Sequence, residues 1–227
     1  MADPGRIGID VGEKLPLEEA VAWAARAGVQ IIDVQLDGGG IRIDPARAGR
    51  IRSQCDRDGV RLGLHTSSAV NVAELAPLVG DAVDAYLKTY VAAAAMLGAG
   101  WIVVHAGYHF SSNVTRRMEA GLERLRRIVA FAETRNIRLL LENLNKEPPD
   151  AEIHYLAHTI EEWRWYYEKI QSPAFGLSFT ANHAHLVPEG VAGFIAMRTA
   201  RILFFSALCD FFRETHRRDS FHRFEST

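Results

Sequence analysis

Apolar segments alternate with segments of helical periodicity along most of the chain. Strands that are apolar on both faces are typical of parallel sheets covered by helices, so the pattern predicts a parallel sheet. Seven segments have the length and composition of such strands, and they cover residues 7–11, 29–34, 61–64, 101–104, 138–141, 175–179 and 201–205.

Segments with apolar residues at helical spacing lie between these strands. In Leu17–Ala27, residues Ala20, Val21 and Ala24 fall on one face, and Gly28 follows as a stop signal. Further helices are predicted near residues 45–58, 75–97 and 115–135, from a capping box that begins at Thr159, and after Pro188. The regular alternation of strand and helix predicts a parallel (β/α) barrel of the TIM type.

The eighth unit of such a barrel has no apolar strand in this sequence. Residues 210–227 are rich in His and Arg and contain no strand-like run. We therefore expect one barrel domain over residues 1–207 that is incomplete or irregular at its eighth unit. An atypical tail over residues 208–227 would pack on this domain or extend from it. Whether the tail is native, or the product of a truncation or frame change, stays open.

Residues that can bind a metal ion stand at the C-terminal ends of successive predicted strands. His65, His105 and Glu142 close three of them, and His183 comes shortly after a fourth. They recur at intervals of about 40 residues, the length of one strand and one helix with their loops. Because active sites of TIM barrels lie at this end of the strands, we expect the four side chains to converge. Two imidazoles and a carboxylate suit Zn²⁺, Mn²⁺ or Fe²⁺.

Structural roles stay open for several polar residues. A buried Glu142 could pair with a nearby arginine instead of a metal ion. Asp10 and Asp33 in the first two strands could face the barrel interior or serve only as hydrogen-bonded structural groups. The long segment 143–158 could be a binding loop or a surface excursion.

Two further histidines are candidates for substrate contacts. His109 could reach a substrate, although we expect it in a solvated loop. His183 and His185 are separated by one residue, so only one is expected to face the centre, and we favour His183.

Composition and net charge limit the functional classes to which this protein can belong. The chain has 227 residues, of which 48% are hydrophobic and 24% charged, so it should fold around a sizeable core. A net charge of −2 gives no support for nucleic-acid binding. No secretory signal or membrane-spanning run is visible, and two cysteines favour a reducing cytoplasm. A homo-oligomer is possible.

The order of these motifs resembles the xylose isomerase-like TIM barrel superfamily over about residues 6–207. The resemblance rests on the His65 strand end, the His105-Ala106-Gly107 step, Glu142-Asn143 and the Asn182-His183-Ala184-His185 turn. This superfamily includes sugar isomerases and epimerases, inosose dehydratases and zinc-dependent apurinic endonucleases. The resemblance implies that Glu142 is a metal ligand and acid/base, that His65 and His105 hold a metal or the substrate, and that His183 lies near the substrate.

Three positions depart from the family pattern. Thr180 replaces the Asp of an Asp-x-x-His turn, Phe205-Ser206-Ala207 replaces a His-x-His type pattern, and the eighth-strand Glu has no counterpart. The departures imply a different ligand set made of His65, His105 and Glu142, with weaker metal binding than in complete members, or no metal at all.

The leading functional hypothesis is a metal-dependent isomerase or epimerase that moves a proton next to the carbonyl of a small sugar or polyol. Its cofactor would be a divalent Mn, Zn or Mg ion, which could be absent. The alternatives are an inactive or truncated barrel that acts as a binding protein, and an apurinic endonuclease-like phosphodiesterase. No nucleic-acid or membrane partner is expected. The assigned residues are Glu142 and His183 for catalysis, His65, His105, His109 and His185 for substrate binding, and Glu142, His105 and His65 for the metal.

Overall fold

The computed structural model describes residues 8–37, 41–110 and 112–197 in full, and the backbone of Ile202–Phe205. Seven strands form one parallel sheet in the order β1-β2-β3-β4-β6-β8-β9, and β5 pairs with β7 in a separate ribbon. The strands are β1 (Ile9–Gly12), β2 (Ile31–Val34), β3 (Arg61–His65), β4 (Trp101–Val104), β5 (Tyr108–His109), β6 (Arg138–Glu142), β7 (His154–Tyr155), β8 (Phe175–Thr180) and β9 (Ile202–Phe205).

The spatial order of the seven-stranded sheet follows the order along the chain, as in a TIM barrel. Every neighbouring pair is parallel, and within the described residues β1 and β9 are edge strands that do not pair with each other. The predicted (β/α) barrel, open at its last unit, is confirmed for this part of the chain. The predicted tail over residues 208–227 and the boundary at 207 lie outside the described residues.

Helices connect the strands and cover the sheet. They are α1 (Leu17–Ala27), α2 (Pro45–Asp58), α3 (Pro77–Leu97), α4 (Val114–Glu133), α5 (Ile160–Lys169), α6 (Ala181–Ala184) and α7 (Gly190–Ala196). The predicted bounds of α1 and α2 agree with the structure. Helix α3 begins two residues later than predicted, because the Glu74 carboxylate accepts from the backbone N–H groups of Leu75 and Ala76 and Pro77 opens the helix. The expected cap of α5 is present, since the Thr159 hydroxyl accepts from the backbone N–H of Glu162.

Alternate residues of β2, β4 and β6 belong to two different hydrophobic cores. Leu139 and Leu141 pack in the large core, which also contains the buried faces of the helices. Leu140 packs instead with Ile31, Trp101 and Val103 in a smaller cluster. Because successive strand residues point to opposite faces, this smaller cluster marks the barrel interior. Glu142, two residues after Leu140, therefore lies on the interior face at the C-terminal end of β6.

The ribbon of β5 and β7 was not predicted. Each strand has two residues, and Tyr108 faces Tyr155 while His109 faces His154. Two residues are too few to show a period, so only the pairing identifies them as strands. The ribbon joins the segment after β4 to the segment after β6, which places both beside the C-terminal ends of the barrel strands. Among the described helices, none has the length and apolar composition required to cross a bilayer.

Candidate functional site

Three buried side chains meet at the C-terminal ends of adjacent strands. Nε2 of His65 lies 3.2 Å from Nε2 of His105, and Oε2 of Glu142 lies 3.2 Å and 3.1 Å from these two nitrogens. The residues come from the ends of β3, β4 and β6, which neighbour one another in the sheet. The convergence expected from the strand ends is therefore found for these three residues.

The negative charge of Glu142 is compensated within this triangle of three side chains. Burial by itself would raise the pKa of Glu142, but the charge of His65 and hydrogen bonds from His105 and His65 hold it well below its usual value. Burial also disfavours the charged form of His65, which by itself would lower its pKa. The negative charge of Glu142 outweighs burial and raises the pKa of His65 to about 9. Burial, helped by the charge of His65, lowers the pKa of His105. An ionised carboxylate thus lies between one protonated and one neutral imidazole.

The donor set fits a divalent cation. A tetrahedral ion with bonds of about 2.0–2.2 Å holds its ligand atoms roughly 3.3–3.6 Å apart, close to the separations of 3.1–3.2 Å found here. Among the described residues, this is the one group of at least three His, Cys, Asp or Glu side chains close enough to share an ion. The Nδ1 atoms of both histidines are buried with no hydrogen-bond partner within the described ranges of the chain, and Nδ1 of His65 lies 3.7 Å from Oδ2 of Asp10. Both rings therefore present Nε2 to one common point.

The second oxygen of Glu142 faces a different partner. The hydroxyl of Thr180, the last residue of β8, donates a hydrogen bond to Oε1. Thr180 stands at the position where the family resemblance implies an Asp. No arginine contacts Glu142 in the part of the chain that the structure describes, so the alternative of a structural arginine pair receives no support.

His183 lies beside this triangle but not within it. Its Nδ1 donates to the backbone carbonyl of Asn143 at 2.7 Å and lies 3.7 Å from Oε1 of Glu142. A carbonyl can only accept, so Nδ1 carries the proton and Nε2 is the nitrogen left for other partners. The short helix α6, which follows β8 directly, sets this position.

These residues form the floor of a cavity of about 440 Å³ at the C-terminal ends of the strands. The segment after β6 borders it through Leu144, Asn145 and Tyr155, so this segment is part of the site and not a surface excursion. Most of the lining residues are polar, whereas pockets for small molecules are usually lined mainly by apolar side chains. Its other residues are Asp10, Gly12, Glu13, Lys14, Gln35, His65, Ser68, His105, Glu142, Asn182 and His183.

The two remaining candidate histidines do not line this cavity. His109 was expected in a solvated loop, but it is buried in β5 with its ring stacked on His154 at 5.5 Å. The pairing of β5 with β7 explains why the prediction was wrong, because it brings His154 over the His109 ring. His185 is the C-cap of α6, two residues beyond His183, and two helical steps of about 100° each turn the two side chains in different directions.

Sequence reasoning missed several residues of the cavity wall. Glu13 and Lys14 follow β1, Gln35 follows β2 and Ser68 lies beyond β3, so each could have been found by extending the strand-end rule to the adjoining loops. Tyr155 carried no such signal, because it is brought to the cavity by the β5–β7 ribbon.

Comparison with known proteins agrees with this architecture. The family model described as "Xylose isomerase-like TIM barrel" matches residues 21–226. A sequence search of curated proteins gave no match.

Three solved epimerase structures illustrate the likeness in fold. D-psicose 3-epimerase with D-fructose has a TM-score of 0.76 at 19% identity, covering 88% of this chain and 72% of that one. D-psicose 3-epimerase from Clostridium cellulolyticum H10 with D-tagatose has a TM-score of 0.73 at 15% identity, covering 87% and 71%. The 3-keto-D-glucoside 4-epimerase from E. coli has a TM-score of 0.72 at 12% identity, covering 88% and 77%. At these identities the likeness shows the fold, and the family match over most of the chain shows that this protein belongs to the xylose isomerase-like TIM barrel family.

Proposed function

We propose that this protein is a divalent-metal-dependent epimerase or isomerase that acts on a small sugar or polyol. The observation that carries the proposal is the buried triangle of His65, His105 and Glu142 on the floor of a polar cavity. Family membership supports it, and so does the likeness in fold to structures of sugar epimerases.

The ion would be held by Nε2 of His65, Nε2 of His105 and Oε2 of Glu142. When bound, it would polarise a carbonyl oxygen and a neighbouring hydroxyl of the substrate. Two imidazoles among three ligands favour Zn²⁺, Mn²⁺ or Fe²⁺ over Mg²⁺, which prefers oxygen ligands. His65 must release its proton to serve as a ligand, so the proton and the ion compete for the same nitrogen.

The proton transfer is assigned to Glu142 and its surroundings. Epimerisation removes a proton from a carbon next to a carbonyl and returns one to the opposite face. Glu142 is ionised and lies on the cavity floor, so it would accept that proton, and water in the cavity would supply the proton that returns to the opposite face. His183 lines the same cavity with Nδ1 fixed, which leaves Nε2 to accept a hydrogen bond from a substrate hydroxyl.

The rest of the cavity suits a polyhydroxy compound. Gln35, Ser68, Asn145 and Asn182 supply donors and acceptors around its wall. Sugar hydroxyl groups also donate and accept, so such a wall can bind several of them without a charged substrate group. A volume of about 440 Å³ accommodates a single monosaccharide together with water.

Proton exchange at carbon tests the proposal directly. Chelator-treated protein reloaded with Mn²⁺ or Zn²⁺ would be incubated in D₂O with D-fructose, D-tagatose, D-allulose or L-ribulose and followed by proton NMR. We expect deuterium to enter beside the carbonyl and the epimer to form, both dependent on the added ion and abolished in Glu142→Gln.

Two outcomes contradict the proposal and favour an alternative. Saturable sugar binding without any exchange, with every ion, would support a binding protein. Cleavage of DNA with an abasic site, lost in His105→Ala, would support a phosphodiesterase.

A further inference from the structure

The side chain of Asn143 continues the β6–β8 ladder beyond its last main-chain pair. The register of the two strands ends with Glu142 opposite Ser178. One residue further, Oδ1 of Asn143 accepts from the backbone N–H of Thr180 at 2.7 Å. Its Nδ2 donates to the backbone carbonyl of Thr180 at 3.0 Å. One side-chain amide thus satisfies both main-chain groups of Thr180, as a strand residue would.

The two hydrogen bonds from the Asn143 amide form a clamp on the main chain of Thr180, and Thr180 is a neighbour of the proposed base, Glu142. Thr180 is almost fully buried, and its hydroxyl donates to Oε1 of Glu142. A displacement of its backbone would move the hydroxyl away from the carboxylate, since the threonine side chain has a single rotatable bond. The amide of Asn143 therefore acts on Glu142 through Thr180.

The main chain of Asn143 fixes a second neighbour. Its carbonyl accepts the Nδ1 proton of His183 at 2.7 Å, which sets the tautomer of that ring. Since α6 follows Thr180 directly, the position of His183 depends on the same clamp. Asn143 is itself fully buried, so its bonds do not compete with solvent.

We infer that Asn143 is a positioning residue for proton transfer at this site. It acts through its amide on Thr180 and Glu142, and through its carbonyl and the clamped start of α6 on His183. Asn143 is itself neither one of the three ligand residues nor a residue of the cavity lining. The inference rests on the proposed function for its kinetic consequence, whereas the tautomer of His183 can be measured without any substrate.

Kinetics supply the first test. Asn143→Leu keeps the size of the side chain but removes both hydrogen bonds to Thr180. We expect kcat for the sugar that is turned over to fall at least about 100-fold, with KM and the Kd of Mn²⁺ within about fivefold of the wild-type values. Asn143→Ser, which leaves a smaller polar side chain, serves if the leucine variant does not fold.

Asn71→Leu is the matched control. Asn71 is also a buried asparagine that holds main chain, because its Oδ1 accepts from the backbone N–H groups of Ala73 and Tyr108. Loss of the Asn71 amide should lower the melting temperature about as much as the Asn143 substitutions do, while kcat stays within about threefold of the wild-type value. If kcat and Mn²⁺ affinity fall together in the Asn143 variants, or if Asn71→Leu lowers kcat equally, Asn143 is only structural and the inference is wrong.

The tautomer of His183 supplies the second test, by ¹⁵N NMR of histidine-labelled protein with the signal assigned through His183→Gln. Wild-type protein and the Thr180→Val and Asn71→Leu variants should show a single Nδ1–H form, and the Asn143 variants a mixture of tautomers. An unchanged Nδ1–H form in the Asn143 variants overturns the inference. A wild-type protein that turns over no sugar contradicts the proposed function instead, and the NMR result still decides whether Asn143 positions His183.

Discussion

The hydroxyl of Thr180 donates a hydrogen bond to Oε1 of Glu142, while the rings of two histidines face Oε2 of the same carboxylate. The carboxylate therefore has one oxygen for the proposed ion and the other held by a neutral donor. At the position where the family resemblance implies an Asp, this chain has a hydroxyl group that donates to Glu142 without adding negative charge. The ligand set then carries one formal negative charge, which should hold a divalent cation less tightly than two carboxylates would.

Thr180→Asp should strengthen metal binding. A second carboxylate beside Glu142 adds negative charge at the proposed site, so we expect the Kd of Mn²⁺ to fall roughly tenfold in a calorimetric titration. Without metal, two adjacent carboxylates repel each other, so the same variant should melt at a lower temperature. Thr180→Asn has a similar shape but no charge, and it should show no gain in affinity. Equal gains in both variants would mean that charge is not the cause.

Glu142→Gln should remove both metal binding and turnover. The amide keeps the size of the side chain but lacks the negative charge that offsets burial of His65 and the ion. We expect Mn²⁺ affinity to fall at least about 100-fold and deuterium exchange into the sugar to become undetectable. Glu152→Gln, an exposed change in the segment after β6, is the control. Tight binding that survives Glu142→Gln would show that the ion lies elsewhere.

Asp33→Asn should stabilise the metal-free protein at neutral and alkaline pH. Burial, opposed in part by the charge of His65, raises the pKa of Asp33 from 3.8 to about 8. A raised carboxyl pKa means that ionisation costs stability, and this cost grows as pH rises from about 4 to 8. The asparagine avoids it while its Oδ1 still accepts from Nε1 of Trp101, which donates to Asp33 at 2.6 Å.

The expected gain in the free energy of unfolding for Asp33→Asn is on the order of 1–3 kcal/mol at pH 8, and it vanishes near pH 4. Urea unfolding at several pH values measures it, with the exposed Asp56→Asn as control. A gain that does not depend on pH would contradict the assignment of the cost to ionisation of Asp33.

Gly63→Ala should destabilise the barrel interior. A Cβ atom at this position would lie 2.2 Å from the Trp101 ring and 2.4 Å from Oδ1 of Asp33, so the indole could no longer cross β3 to reach its acceptor. We expect a loss of about 2–4 kcal/mol in the free energy of unfolding, measured by urea denaturation. Gly100→Ala is the matched control, because nothing lies within 4 Å of its added Cβ. Comparable losses in both variants would argue against a specific clash at Gly63.

Local patterns in the sequence were sufficient for the seven strands of the parallel sheet and for the longer helices. The apolar faces and stop signals of Leu17–Ala27 and Pro45–Asp58 depend on residues a few positions apart, so their bounds could be predicted. The place of His65, His105 and Glu142 followed from the rule that parallel strands end at one rim. That rule needs only the order of strands and helices along the chain.

Contacts between distant residues were decided by the tertiary structure. Thr180 reaches Glu142, Asn143 clamps the main chain of Thr180, and Trp101 donates to Asp33, each across a separation that leaves no periodic signal in the sequence. The burial of His109 likewise depends on a ribbon of two-residue strands. By itself the sequence determined that His65, His105 and Glu142 stand at the rim, because the order of strands and helices along the chain is encoded locally. Which oxygen of Glu142 faces the histidines and which faces a hydroxyl depends on how neighbouring strands pack, and that was decided only when the chain folded.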